Sequence, residues 1–201
     1  MSHYYIYDKS LAKDERILDL KIKDISLRLT TDRGVFSKTG LDEGSKLLIE
    51  SLDFNNDVHR VIDMGCGYGP ITLFIAKSYP HIEVFAYDIN ERAVELTKKN
   101  SLLNQLTNVH VYVSHLFEHV DFNVDAVVTN PPIRAGKKVV FDLYEGAYHV
   151  LKPGGKFYVV IQKKQGAPSS VAKLKELFGD CSVIQRKGGY WILLAKKQEN
   201  D

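Results

Sequence analysis

From residue 58 onward the sequence alternates short β-branched runs with longer segments of helical periodicity, and that alternation leaves few folds open. Val58 to Met64, Ile82 to Tyr87, Val109 to Val113, Val124 to Thr129 and Phe157 to Ile161 read as strands, several apolar enough to be buried on both faces. Ile71 to Ser78, Glu91 to Leu103, Val139 to Leu151 and Ser170 to Phe178 read as the helices between them. Repeated β-α-β units give a parallel sheet covered on both faces, with right-handed crossovers. The last two strand-like runs, Cys181 to Arg186 and Tyr190 to Ala195, are separated only by Lys187-Gly188-Gly189. That is too short for a crossover helix, so they must pair as an antiparallel hairpin. The expected fold class is therefore α/β, a doubly wound, mostly parallel seven-stranded sheet with a C-terminal antiparallel hairpin.

The first 57 residues have another character. Leu18 to Lys23 and Ile25 to Thr31 suggest a strand pair turning near Lys23-Asp24. Asp42 to Leu52 opens on a plausible N-cap and carries Leu47, Leu48 and Leu52 at helical spacing. With no internal repeat and no low-complexity linker, the expectation is an N-terminal strand and helix extension, residues 1–57, packed on a main domain of residues 58–201. A chain of 201 residues, 44% hydrophobic and 26% charged, suits one domain with one core.

Composition narrows the function classes. Cys66 and Cys181 fit neither a disulfide framework nor a four-ligand zinc site, and no charged-then-apolar leader is visible, so a cytoplasmic location is expected. No apolar run approaches the roughly 20 residues of a membrane-spanning helix. A net charge of +2 does not argue for nucleic acid by itself. The pairs Lys137 with Lys138, Lys163 with Lys164, Arg186 with Lys187 and Lys196 with Lys197 read, from charge alone, as solvated surface.

The first strand of the main unit runs into Asp63-Met64-Gly65-Cys66-Gly67-Tyr68-Gly69-Pro70 and then a helix. A ligand belongs there, at the carboxyl end of a parallel strand. Gly65 and Gly67 allow a tight turn and close approach of backbone to ligand. Pro70 suits the first helical turn. It also stands where a dinucleotide fingerprint has its third glycine, and no Gly-Lys-Ser/Thr of a phosphate loop follows. Asp63 is a poor neighbour for pyrophosphate and a good one for a cation. S-adenosylmethionine carries a sulfonium and an ammonium, so the charge favours that methyl donor. Asp88, closing the next strand with Ile89 after it, can accept both ribose hydroxyls. The third strand ends in Ser114-His115-Leu116, where adenine would lie. Cys66 has no activating base nearby in sequence and is taken as a small residue in a tight place. A parallel sheet ending in an antiparallel hairpin is also, by analogy, the Rossmann-like architecture of class I methyltransferases.

The fourth strand runs directly into Asn130-Pro131-Pro132-Ile133. Consecutive prolines hold the backbone extended and can aim the Asn130 side chain and the Pro131 carbonyl at one point. Both are acceptors, which suits an exocyclic NH₂ group. Gripping its hydrogens favours the pyramidal nitrogen whose lone pair attacks, and methyl transfer is then a matter of in-line placement, with no metal required.

With these motifs in place the chain resembles the bacterial small-subunit ribosomal RNA guanine-N2 methyltransferase C family, in particular its short single-domain members. The residues that carry the resemblance are Thr31-Asp32-Arg33-Gly34-Val35-Phe36-Ser37, Leu41-Asp42-x-Gly44-Ser45, the Asp63 to Pro70 loop, Asn130-Pro131-Pro132-Ile133-Arg134-Ala135-Gly136-Lys137, and Leu151-Lys152-Pro153-Gly154-Gly155. The resemblance implies an S-adenosylmethionine pocket closed from above by the segment around Phe36 and Ser37, and a guanine N2 acceptor held by Asn130. It further implies a partner, ribosomal RNA or the small subunit, gripped by Arg134, Lys137, Lys138, Lys163 and Lys164 at the carboxyl edge of the sheet. Larger members carry a second, degenerate domain that helps engage RNA, which this sequence lacks. Related amino-methyltransferases place Tyr or Phe after the two prolines, and here the residue is Ile133.

Two other functions fit the same residues. The acceptor could be a protein glutamine amide or adenine N6. A non-catalytic S-adenosylmethionine-binding ribosome assembly factor is the third reading, although such a module has no need of Asn130.

Overall fold

The computed structural model describes residues 13–32 and 40–200. Its sheet has seven strands: β3 (Arg60–Met64), β4 (Glu83–Asp88), β5 (Val109–Val113), β6 (Val124–Thr129), β7 (Leu151–Gln162), β8 (Ser182–Lys187) and β9 (Tyr190–Lys196). They lie in the order β5-β4-β3-β6-β7-β9-β8. The first five run parallel, and β9 enters antiparallel between β7 and β8. The order reverses at β3, between β4 and β6, which opens the crevice where open α/β sheets bind ligands.

Strand alternation divides the core in two. Val61, Val128, Tyr158 and Val160 face one way, toward α1 (Glu43–Ser51), α2 (Pro70–Ser78), α3 (Glu91–Leu103) and the hairpin of β1 (Arg16–Ile22) with β2 (Ile25–Thr31). Ile62, Val127, Phe157 and Val159 face the other way, toward α4 (Lys137–Val150) and α5 (Ala167–Phe178). The helices begin where local chemistry dictates. Asp42 caps α1 by accepting from the Ser45 N–H at 3.0 Å, Asn90 caps α3 through the Arg92 N–H, and proline stands in the first turn of α2.

The β1–β2 hairpin is fastened to α3 by polar groups. Arg92, 3% exposed, donates to Asp32 at 2.9 Å, to Glu15 at 2.6 Å and to Glu95 at 3.1 Å. Asn100, fully buried, accepts from the Thr30 N–H and donates to the carbonyls of Thr30 and Tyr68. One amide thus ties β2 and α3 to the loop after β3.

Two features differ from the sequence expectation, the start of β7 and the placement of Lys197. Strand β7 begins at Leu151 rather than near Phe157, and its pairing with β6 shifts register between Val124 and Ala126. The Pro153-Gly154-Gly155 segment absorbs the shift, with Gly154 at φ +79°, a bulge that hydropathy alone does not reveal. The crossover from β5 to β6 has no helix. Phe117 and Val120 pack against α4's face, and Phe117 seats where a Cβ on Gly146 would collide with its ring. Lys197 is not surface charge. It is 9% exposed and donates to the carbonyls of Tyr148 and Leu151 at the end of α4, where the helix dipole favours a cation.

Candidate active site

The loop from Gly65 to Gly69 turns sharply between β3 and α2. Gly65, Gly67 and Gly69 all have positive φ, and the N–H groups of Gly65 and Cys66 both bond the Tyr87 carbonyl. A Cβ on Gly65 would meet no atom of the protein and would project into the cleft above β3. The loop therefore cradles open space.

That space has two lobes that share Gly65, Asn130 and Pro132. The first, of about 450 Å³ including its open mouth, is lined by Asp88, Ile89, Ser114, His115, Leu116 and Leu143 among others. The second, of about 1110 Å³ with its open mouth, includes Asp42, Ser45, Ile133, Arg134, Gln162 and Tyr190. Together they suit a nucleoside-sized group on one side and an acceptor on the other.

Asp88 closes β4 with its carboxylate fixed, one oxygen accepting from the Gly67 N–H and the other from the Asn90 N–H, each at 2.9 Å. Burial raises its pKa above the usual carboxylate range. Each oxygen keeps a lone pair, so the side chain can still accept ribose hydroxyls. Ser114 and His115 lie where the sequence reading put them, but Ser114 spends its hydroxyl on the Leu116 carbonyl at 2.8 Å. Of the apolar walls of the first lobe, Leu116 lies in the segment expected near adenine and Leu143 was missed. Leu143 shows in sequence only as one more residue on the apolar face of α4.

Asp63 differs from its expected position. It lines neither lobe and lies fully buried beneath the loop, where the Thr72 hydroxyl donates to Oδ2 at 2.6 Å and Oδ1 has no partner. Burial, with Asp88 nearby, pushes its pKa up to about 7. Any charge it exerts on a ligand acts through the loop. The Tyr68 hydroxyl is likewise buried without a partner, on the wall of the second lobe. Cys66 sits 5% exposed against Thr97, and burial keeps its thiol protonated. Orphaned acceptors under a glycine cradle, a ribose-positioned carboxylate and an apolar lobe beside it fit S-adenosylmethionine. Phe36 and Ser37 lie outside the described residues.

Asn130 follows β6 and is oriented by the N-terminus of α1. Its Nδ2 donates to Ser45 Oγ at 3.0 Å and to Asp42 Oδ1 at 3.4 Å. An ionised carboxylate only accepts, so the amide nitrogen must face Asp42 and the carbonyl oxygen must face away. Sequence reading found Asn130 but gave Asp42 only a helix-capping role and tied neither Asp42 nor Ser45 to Asn130, because 85 or more residues separate them. The Pro131 carbonyl is not wholly open. It accepts the Ile133 N–H at 2.9 Å across Pro132, whose φ of −76° and ψ of 76° make an inverse γ-turn, leaving one lone pair for a substrate.

The basic residues share the edge expected of them. Arg134, Lys137 and Lys138 follow β6, and Lys163 and Lys164 follow β7, all exposed. Lys138 pairs with Asp142 at 2.7 Å and the Lys137 ammonium lies 5.2 Å from the Phe141 ring centre. Arg134, which also lines the second lobe, makes no ion pair among the described residues, and neither do Lys163 and Lys164.

Sheet order, glycine loop and cleft define the class I S-adenosylmethionine-dependent methyltransferase fold. The sequence matches the methyltransferase small domain family over residues 26–194, and the chain belongs to that family. It is 45% identical to the Bacillus subtilis (strain 168) protein YbxB, over 97% of this chain and 98% of that one. It is 32% identical to the ribosomal RNA large subunit methyltransferase G of Shewanella amazonensis, over 88% of this chain and 47% of that one. It is also 32% identical to the ribosomal RNA small subunit methyltransferase C of Vibrio cholerae, over 94% of this chain and 53% of that one. The solved T. thermophilus 16S rRNA N2-guanine methyltransferase in complex with AdoMet and guanosine superposes with a TM-score of 0.81 at 27% identity, over 92% of this chain and 51% of that one. The chain thus spans about half the length of these rRNA methyltransferases. Among the described residues, no helix is long and apolar enough to cross a membrane.

Proposed function

We propose that the protein is a cytoplasmic S-adenosylmethionine-dependent N-methyltransferase of ribosomal RNA, acting on the exocyclic N2 of a guanine in the small subunit. The observation that carries this reading is the locked Asn130 amide, whose oxygen is presented at the junction of the two lobes. The bound cofactor supplies a methyl group made electrophilic by its sulfonium. Asp88 and the walls of the first lobe orient the nucleoside half. Asn130 Oδ1 and the remaining lone pair of the Pro131 carbonyl accept from the two amine hydrogens, which favours a pyramidal nitrogen aligned for in-line attack. The methylated amine, as an aryl ammonium, is acidic enough to lose its proton to water, and Asn130 need not act as a base.

The names of the relatives support rRNA as the substrate class, and the solved relative with guanosine supports guanine. Transfer of labelled methyl from S-adenosylmethionine to rRNA, assembled small and large subunits and a protein extract, all from cells lacking the protein, tests the assignment. Label in small-subunit RNA as N2-methylguanosine, lost with Asn130→Ala, is the expected result. Label in protein moves the acceptor to a side-chain amide, and label in the large subunit moves the site. Cofactor binding without transfer to any pool supports the non-catalytic assembly factor.

A further inference from the structure

Ile133 stands where related enzymes carry a stacking aromatic, which leaves a question of what flat surface the acceptor base meets. Two aromatics line the second lobe among the described residues, Tyr68 and Tyr190. Tyr68 is 3% exposed and its ring is packed away. Tyr190 is half-buried and lies on the open wall.

Topology brings Tyr190 there. Strand β9 runs antiparallel to the rest, so its first residue, not its last, stands at the carboxyl edge of the sheet, paired with Gln162, the last residue of β7. The ring is held at its hydroxyl and along its Cδ1–Cε1 side. Gln162 Nε2 donates to the Tyr190 hydroxyl at 2.8 Å. At the other side the ring lies against Gly44, where a Cβ would come within 2.7 Å of ring carbon Cε1. Gly44 sits between Asp42 and Ser45, the two residues that hold Asn130. A single turn at the start of α1 therefore fixes the Asn130 amide and the Tyr190 ring relative to each other.

We infer that Tyr190 is the aromatic wall against which the target base lies while Asn130 holds its amine. The inference rests on the nucleobase acceptor proposed above. Aromatic stacking tolerates any base, so Tyr190 supplies affinity for a flipped planar ring, and Asn130 supplies the demand for an exocyclic amine. Ile133 lines the same lobe with an aliphatic side chain.

The test uses guanosine as probe and the full protein saturated with S-adenosylhomocysteine, with binding measured by equilibrium dialysis. Tyr190→Leu keeps apolar bulk against Gly44 but removes the flat ring. It should weaken guanosine binding on the order of 10-fold to 100-fold. Binding of S-adenosylhomocysteine, measured on the same samples, should be unchanged and reports that the variant is folded. Tyr190→Phe, which keeps the ring and loses only the bond to Gln162, should restore guanosine binding. Equal guanosine affinity in wild type and Tyr190→Leu overturns the assignment of Tyr190 and leaves the nucleobase reading intact. A wild type that binds S-adenosylhomocysteine but no nucleoside overturns both.

Discussion

At the residue scale, the arrangement assigns separate tasks to carboxylates that sequence alone treats alike. Asp42 accepts from Asn130 and decides which way an amide points. Replacing it with Ala frees Asn130 to rotate, and kcat should fall on the order of 10-fold to 100-fold because the acceptor loses its alignment. The same change removes the cap of α1, for about 1 kcal/mol of stability. Steady-state kinetics should show the loss in kcat, with KM for S-adenosylmethionine moved much less. Asp63 has the opposite environment. Its folded pKa of about 7 exceeds its ordinary 3.8, so the native state holds a proton that the unfolded chain has released between those values. Its contribution is fully present below about pH 4 and is lost as pH rises toward 7, by about 4 kcal/mol in all. Urea denaturation of the cofactor-free protein from pH 4 to 8 should show Asp63→Asn gaining on wild type as pH rises, since Asn can still accept the Thr72 hydroxyl.

At the scale of elements, the N-terminal hairpin and α1 shape the cleft as much as the sheet does. Arg92 pairs with Asp32 in a nearly dry site, and Arg92→Ala would remove the guanidinium from that buried pair at a cost on the order of 3 kcal/mol. Asn100→Ala would leave the Thr30 N–H and two carbonyls short of partners, for about 2–4 kcal/mol. Thermal denaturation checks both, and only Asn100→Ala should also weaken cofactor binding, because it alone releases the Tyr68 carbonyl. Strands and helices of the sheet were legible because each carries its own period and punctuation, as in Val124 to Thr129 before two prolines. The first lobe was legible for the same reason, since Gly65, Asp88 and Asn130 each end a strand. Asp42, Ser45 and Tyr190 were not legible as site residues. Their roles come from pairings across the whole chain, and nothing local in sequence tells that β9 inserts between β7 and β8 or that α1 points at β6.

At the scale of the molecule, near-neutral net charge conceals an uneven surface. Arg134, Lys163 and Lys164 flank the mouth of the acceptor lobe without ion pairs among the described residues, while Lys197 and Arg92 are consumed inside the fold. RNA binding should therefore weaken with salt. Changing all three flanking residues to Gln should flatten the plot of log K against log salt by roughly 2 units of slope. Guanosine binding, which makes no phosphate contact, should be indifferent to the Lys163 and Lys164 changes, since neither residue lines the lobe.

The most direct measurement is nucleoside mass spectrometry on small-subunit rRNA from cells lacking this protein, with and without plasmid-borne copies. The account predicts that one N2-methylguanosine disappears with the gene, returns with the wild-type protein, and does not return with Asn130→Ala at equal protein level. Full N2-methylguanosine content in the rRNA of cells lacking the protein, or restoration by Asn130→Ala, would contradict it.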